Sequence, residues 1–171
     1  MEERVILVDE NDTEIGSETK LKAHREGMLH RAFSIFVFNS KKQLLLQKRA
    51  ATKYHSAGLW ANTCCSHPRP KESLKKAAHR RLLEEMGFNC ELREVFIFKY
   101  KKKFVNNLIE NEVDHVFLGR FDGKPKPNKE EADDWRWISV ERLRKDIRDY
   151  PEKYAYWLRL MLDNYPAHLK P

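Results

Sequence analysis

The chain has 171 residues, with 33 Lys plus Arg against 26 Asp plus Glu, a formal net charge of +7. One domain spanning residues 1–171 is expected at this length, and an aromatic content of 11% argues against disorder. No apolar run nears the ~18 residues of a membrane helix, Met1-Glu2-Glu3-Arg4 does not open a secretory signal, and three cysteines make no disulfide framework. Two of them, Cys64 and Cys65, are adjacent, and a reducing, cytoplasmic compartment is expected. The positive balance suits an acidic ligand: a nucleic acid, a phosphate or a diphosphate.

Residues 5–8 predict a short strand closed by the polar turn Glu10-Asn11-Asp12. The run RAFSIFVF at 31–38 predicts a central strand, because it is apolar on both faces from Ile35 to Phe38. Asn39-Ser40-Lys41-Lys42 is a turn, and 43–49 returns as the second arm of a hairpin. A loop runs to Gly58, followed by a short segment at 59–65. A helix is predicted over 72–86, since Leu74, Ala77, Ala78 and Leu82 make an apolar stripe and Gly87 is a natural stop. Strands follow at 95–100, 110–121 and 134–138, with a surface connection at 122–133, and helices at 140–147 and 151–162. This order predicts an α+β protein, a mixed sheet with helices packed on it.

Several residue sets can carry chemistry. Glu110 and Glu112 alternate along a strand and so share a face, roughly 7 Å apart along the backbone. Two carboxylates so placed call for a positive partner, a metal or basic side chains; a solvated edge is the plainer alternative. His24, His30 and His67 lack the helical spacing of a zincin, and His55, His79, His115 and His168 are given no role. Cys65, two residues from His67, is a possible nucleophile, proton carrier or metal ligand. An extended backbone turns Cys64 away from whatever Cys65 faces, and Cys90 is read as structural. Arg81 and Glu85 share a helix face, which suits a surface salt bridge or a Mg²⁺ ligand beside a phosphate clamp. Lys20, Arg49 and Lys53 together suit a diphosphate.

The stretch 66–88 resembles a Nudix box. Glu72, Arg80, Leu82, Glu84, Glu85, Gly87 and Phe88 fall on its pattern. Ser66 stands where the box has Gly, and Arg81 stands where it has a metal-holding Glu. That charge reversal argues against ordinary Nudix hydrolysis. Ala61-Asn62-Thr63-Cys64-Cys65-Ser66-His67-Pro68 and Glu110-Asn111-Glu112-Val113 look like the two signature segments of type I isopentenyl-diphosphate isomerases, a Nudix-superfamily family. His24, His30-Arg31-Ala32-Phe33-Ser34, Lys48-Arg49-Ala50 and Asp134-Trp135-Arg136-Trp137 agree, so the resemblance runs over nearly the whole chain.

The resemblance implies a Nudix-like fold and a site. His24, His30, His67, Glu110 and Glu112 would bind one divalent metal, Mn²⁺, Zn²⁺ or Mg²⁺. Cys65 and Glu112 would carry protons on opposite faces of the substrate, with Tyr100 beside Glu112. Glu85 would help hold Mg²⁺ on the substrate diphosphate. Lys20, Arg49, Lys53 and Arg81 would hold the diphosphate itself, and Trp157 would cover the hydrocarbon end. The reaction interconverts isopentenyl and dimethylallyl diphosphate through a tertiary carbocation, which calls for a small, closed, apolar pocket. It is redox-neutral, so no organic cofactor is expected. No nucleic acid or membrane is expected as a partner, and the chain should be a monomer or weak dimer. The rivals are a Nudix hydrolase of nucleoside diphosphate derivatives and a basic, metal-stabilised nucleic-acid-binding module, against which the scatter of the basic residues argues.

Overall fold

A computed structural model describes residues 3–53, 55–104 and 106–169. In chain order the elements are β1 (Arg4–Val8), β2 (Glu14–Thr19), α1 (Lys20–Glu26), β3 (His30–Phe38), β4 (Gln43–Arg49), β5 (Trp60–Ala61), β6 (Cys64–Ser66), α2 (Leu74–Met86), β7 (Leu92–Lys103), β8 (Ile109–Arg120), β9 (Ala132–Ser139), α3 (Val140–Asp149) and α4 (Tyr156–Asn164). A 3-10 turn at Pro151–Lys153 precedes α4.

β3 is the spine of one mixed sheet. Along one edge it pairs in parallel with β8, from His30 opposite Glu112 to Phe38 opposite Arg120. Its other edge is shared: β1 meets it at His30, β6 along 33–35 and β4 at Phe38. β7 extends the sheet beyond β8, β9 and β5 flank β4, and β2 closes the end beside β1. Side chains alternate along a strand, so the apolar run of β3 feeds two cores. Phe33, Ile35 and Val37 pack with Ala77, Ala78, Leu82 and Met86 of α2. Phe36 and Phe38 pack with Leu143 of α3 and with Trp157, Leu158 and Met161 of α4. This is the two-faced burial expected of a central strand.

Local chemistry explains the element ends. Ser73 caps α2 by accepting from the backbone N–H of Lys76, so the helix begins at Leu74 rather than at Glu72. Thr19 and Gly27 bracket α1 in the same way, with Gly27 left-handed at φ +64°. Neither α1 nor β2 was anticipated; α1 is too short for periodicity to reveal it. The predicted segment at 59–65 divides into β5 and β6 around buried Asn62 and Thr63. The predicted helix at 151–162 is interrupted, because Tyr154 bridges to Trp60 and the Ala155 N–H donates to the Trp60 carbonyl at 2.8 Å.

The connection at 122–133 is not simply a solvated linker. Lys126 and Asn128 donate backbone N–H groups, each at 2.9 Å, to the carbonyls of Met86 and Glu85, docking the loop on the end of α2. Gly87 makes this approach possible. It lies at φ +71°, and an added Cβ would run into the Lys126 carbonyl. Gly87→Ala should therefore lose about 1–3 kcal/mol of unfolding free energy, read as a lower urea midpoint; an unchanged midpoint would count against this tight packing.

Candidate active site

Three segments converge on the carboxylate of Glu112. His24 is carried by α1, His30 opens β3 and His67 follows β6. Their Nε2 atoms lie 4.0, 3.4 and 3.0 Å from Glu112 Oε1. One donor atom from each of His24, His30, His67 and Glu112 lies within 4.8 Å of every other, and all four residues are buried. His24 Nδ1 sits 2.7 Å from the Lys20 carbonyl and His30 Nδ1 sits 2.8 Å from the Met28 carbonyl. A carbonyl only accepts, so both Nδ1 atoms carry a proton, and both Nε2 atoms face inward. His30 Nε2 finds no hydrogen-bond partner at its distance from Glu112. Burial lowers the pKa of His24 to about 3, and the charges of His67 and His30 add to this. Three buried imidazoles around one buried carboxylate fit a divalent metal ion.

The register of β8 fixes the carboxylates. Glu110, Glu112 and Asp114 alternate onto one face and all are buried. The Tyr100 hydroxyl, brought opposite by β7, lies 2.9 Å from Glu110 Oε2 and 2.8 Å from Glu112 Oε2. It has one proton and can donate to only one of them at a time. Burial, and then the charge of Glu112, push the Glu110 carboxyl well above the usual range. Burial opposes ionisation of Glu112 too, but contacts with the His30 and His67 imidazoles outweigh it and hold its carboxyl well below that range. Glu110 is thus one step removed from the four-donor group, joined to it through Tyr100.

Cys65 and Cys64 diverge as an extended backbone requires. Cys64 is buried in the core beneath α2, whereas Cys65 lines the cavity. Cys65 Sγ donates to Asn62 Oδ1 at 3.0 Å and lies 3.4 Å from Ser34 Oγ. Burial, and then the charge of Asp114, push its pKa far up, so it rests as a thiol. Cys90 packs at the edge of the α2 core and touches none of this.

The cavity encloses about 60 Å³ and is lined by Cys65, Glu112, Tyr100, Trp157, Arg49 and Glu85, among others. It is not the apolar pocket expected. Ala32, Phe33 and Trp157 are the apolar exceptions in a wall of imidazoles, carboxylates and cations. A wider cleft of about 660 Å³, lined by Lys20, Lys53, Arg81, Arg4, Arg69 and Arg80, shares Lys20, Lys53 and Arg81 with it. Arg49 lies over the Trp157 ring at 5.2 Å, a cation–π contact. Glu85 is held by Gln47 Nε2 at 2.9 Å and by Arg81 at 2.7 Å. Arg81 also meets Glu84 at 2.7 Å and Glu131 at 3.0 Å. Lys53 pairs with Glu131, and Lys20 with Glu3 at 3.0 Å.

Every residue to which the resemblance gives a site role lines the cavity or belongs to the cluster around Glu112, and several others join them. His55, given no role, lies 3.5 Å from Glu110 Oε1 and lines the cavity; its loop carries no periodic signal that would have found it. Asp114 and Gln47 were detectable, since each lies two residues along a strand from a chosen residue, Glu112 or Arg49. Glu131 sits in the connection taken to be solvated.

The NUDIX domain matches residues 28–160. The chain is 61% identical over 163 residues to isopentenyl-diphosphate Delta-isomerase 1 of Aromatoleum aromaticum, covering 95% of this chain and 92% of that one. It is 55% identical over 163 residues to isopentenyl-diphosphate Delta-isomerase 2 of Photorhabdus laumondii, covering 95% and 92%. The chain belongs to the isopentenyl-diphosphate isomerase family, within the Nudix fold. A crystal structure of a Deinococcus radiodurans protein superposes with a TM-score of 0.79 at 22% identity, over 95% of this chain and 99% of that one. The MutT protein of Methanosarcina mazei superposes with a TM-score of 0.67 at 20% identity, over 84% and 96%. Both likenesses are of fold.

Within that fold the box residues of α2 brace one another. Arg80 holds Glu72 through two bonds of 2.7 and 2.8 Å and reaches Glu84 at 3.1 Å, a bidentate pair. No described helix is long and apolar enough to cross a membrane. His67→Ala should lower the divalent-metal content found by elemental analysis after dialysis. Metal retained at the parent's level would remove His67 from the ligand set.

Proposed function

We propose that this cavity performs the isomerase reaction with Cys65 and Glu112 as its two proton carriers. The observation that carries this is their convergence: the Cys65 thiol, its pKa pushed up, and the Glu112 carboxylate, its pKa pushed down, line one small cavity with a basic cleft at its side. Moving a double bond from C3–C4 to C2–C3 adds a proton at C4 and removes one at C2. Two groups at different places serve this better than one fixed group, and they must rest in opposite protonation states. With the thiol loaded and the carboxylate empty, Cys65 gives a proton and Glu112 takes one. The reverse direction starts from the opposite pair of states. Tyr100, bonded to Glu112 and Glu110, keeps the carboxylate oriented.

The remaining residues bind and protect. Arg49, Lys53, Lys20 and Arg81 would take the diphosphate, which places the five-carbon chain inward against Trp157. The indole face would stabilise positive charge developing at C3. Glu85 would help hold Mg²⁺ on the diphosphate. His24, His30, His67 and Glu112, with Glu110 beside them, would hold a divalent ion, Mn²⁺, Zn²⁺ or Mg²⁺. When bound, that ion would tune the acidity of its carboxylate ligand. The bond shift is redox-neutral and calls for no organic cofactor. We read the chain as a cytoplasmic monomer or weak dimer acting on a small diphosphate, with no nucleic-acid or membrane partner.

NMR of isopentenyl diphosphate incubated with enzyme and Mg²⁺ in D₂O tests the reaction, since isomerisation, deuterium uptake and hydrolysis give separate signals. Cys65→Ser should lower kcat by about 10²–10⁴-fold while diphosphate binding survives. Cys64→Ser should keep its rate, because Cys64 faces the α2 core. Activity persisting in Cys65→Ser would remove the thiol from proton transfer. Arg49→Ala should raise KM more than it lowers kcat; an unchanged KM would take Arg49 out of the clamp.

A further inference from the structure

Asn62 lies between β5 and β6 and is completely buried. Its carboxamide makes four hydrogen bonds, the full capacity of that group. Nδ2 donates to the carbonyls of Ile35 and Cys64, each at 3.1 Å. Oδ1 accepts from Cys65 Sγ at 3.0 Å and from Trp157 Nε1 at 3.1 Å. The two carbonyls settle which way the amide points. Turned over, it would set oxygen against two oxygens and its NH₂ against an indole N–H.

Part of this arrangement serves the fold. Where β5 and β6 separate, Asn62 and Thr63 bond backbone groups of β3 and β4. Asn62 satisfies Ile35, while Thr63 Oγ1 accepts from the Val37 N–H at 2.9 Å and donates to the Leu45 carbonyl at 2.7 Å. Thr63 makes none of the contacts to Cys65 or Trp157 that Asn62 makes. The acceptor end of Asn62 therefore goes beyond holding backbone. It ties a thiol on β6 to an indole on α4 that lies 95 residues from Asn62 in sequence. Ser34 Oγ is the other acceptor near the thiol, but it is farther, at 3.4 Å, and its own hydroxyl donates to Asp114 at 2.8 Å.

We propose that Asn62 is a positioning residue for the proton transfer. It fixes the position of the Cys65 sulfur and the plane of the Trp157 ring together, so that the reacting carbons meet both in one geometry. This rests on the roles proposed above for Cys65 and Trp157.

The test compares Asn62→Ala with Thr63→Val in the full chain loaded with Mg²⁺. Asn62→Ala should lower kcat by about 10- to 100-fold, the range expected when a reacting group is displaced by about 1 Å. Its affinity for inorganic diphosphate, measured by calorimetry, should stay at the parent's value. Thr63→Val should lose melting temperature and keep kcat. A parent-like kcat in folded Asn62→Ala overturns the proposal, as does an equal loss of kcat in both variants. Should Asn62→Ala fail to fold, the infrared S–H stretch of Cys65 in the parent decides, assigned by its loss in Cys65→Ser. A hydrogen-bonded frequency that Ser34→Ala leaves in place supports Asn62 as the acceptor, and a free-thiol frequency overturns it. An active Cys65→Ser would sink the proton-carrier role itself, whereas an inactive Cys65→Ser beside a normal Asn62→Ala would sink only the positioning role.

Discussion

The parallel pairing of β3 with β8 is the constraint on which the site depends. It sets His30 opposite Glu112, and the remaining contacts follow from that register. Glu110, Glu112 and Asp114 face the cavity because they alternate with residues that point the other way. His115 is one of those, bonded to Asp12 and Glu94 at 2.8 Å each. Slipping the pair by one residue would turn three carboxylates out and His115 in. The slip is opposed by burial on both faces, since Phe117 would exchange cores with Val116 and Leu118. Function and packing thus share one register.

Within that frame the electrostatics are arranged by neighbours rather than by residue type. Two glutamates two residues apart on one strand are driven in opposite directions. Imidazoles hold Glu112 ionised, while burial and the charge of Glu112 hold Glu110 neutral. Burying a carboxylate in a cluster of imidazoles is costly unless something positive joins them. A divalent ion would resolve that tension, and the cluster has the donors to hold one.

The sequence made the central strand, the hairpin, α2 and the long β8 legible because each is governed by strong periodicity or an obvious stop. It was weaker where the determinant is tertiary. α1 spans only Lys20–Glu26 and is set by Thr19 and Gly27, and the break before α4 comes from a backbone bond to Trp60. The site residues themselves were legible from family resemblance far more than from spacing. Three histidines on a helix, a strand start and a loop have no common period. His55 and Glu131 escaped because loops carry no face. Asn62 was quoted as part of a signature, but its work, joining β6 to α4, exists only once the chain has folded.

The basic residues show why charge counting alone could not choose a ligand. Lys53 and Arg81 both lean on Glu131, Lys20 leans on Glu3, and Arg81 also meets Glu84 and Glu85. The cleft is therefore a lattice of paired charges rather than a bare positive surface. Such a lattice keeps long side chains ordered before any ligand arrives, which lowers the entropy lost on binding. It also makes an entering dianion exchange for carboxylates that are already in place. A diphosphate carries more charge and more acceptor oxygens than one carboxylate, so it can win that exchange where a weaker anion does not. Arg81 is central to this, since it occupies the box position where a hydrolase keeps a metal-holding Glu. In the proposed clamp, a cation there would remove one carboxylate from metal binding at α2 and offer one more donor to a phosphate oxygen, which would favour retention of the diphosphate over its cleavage.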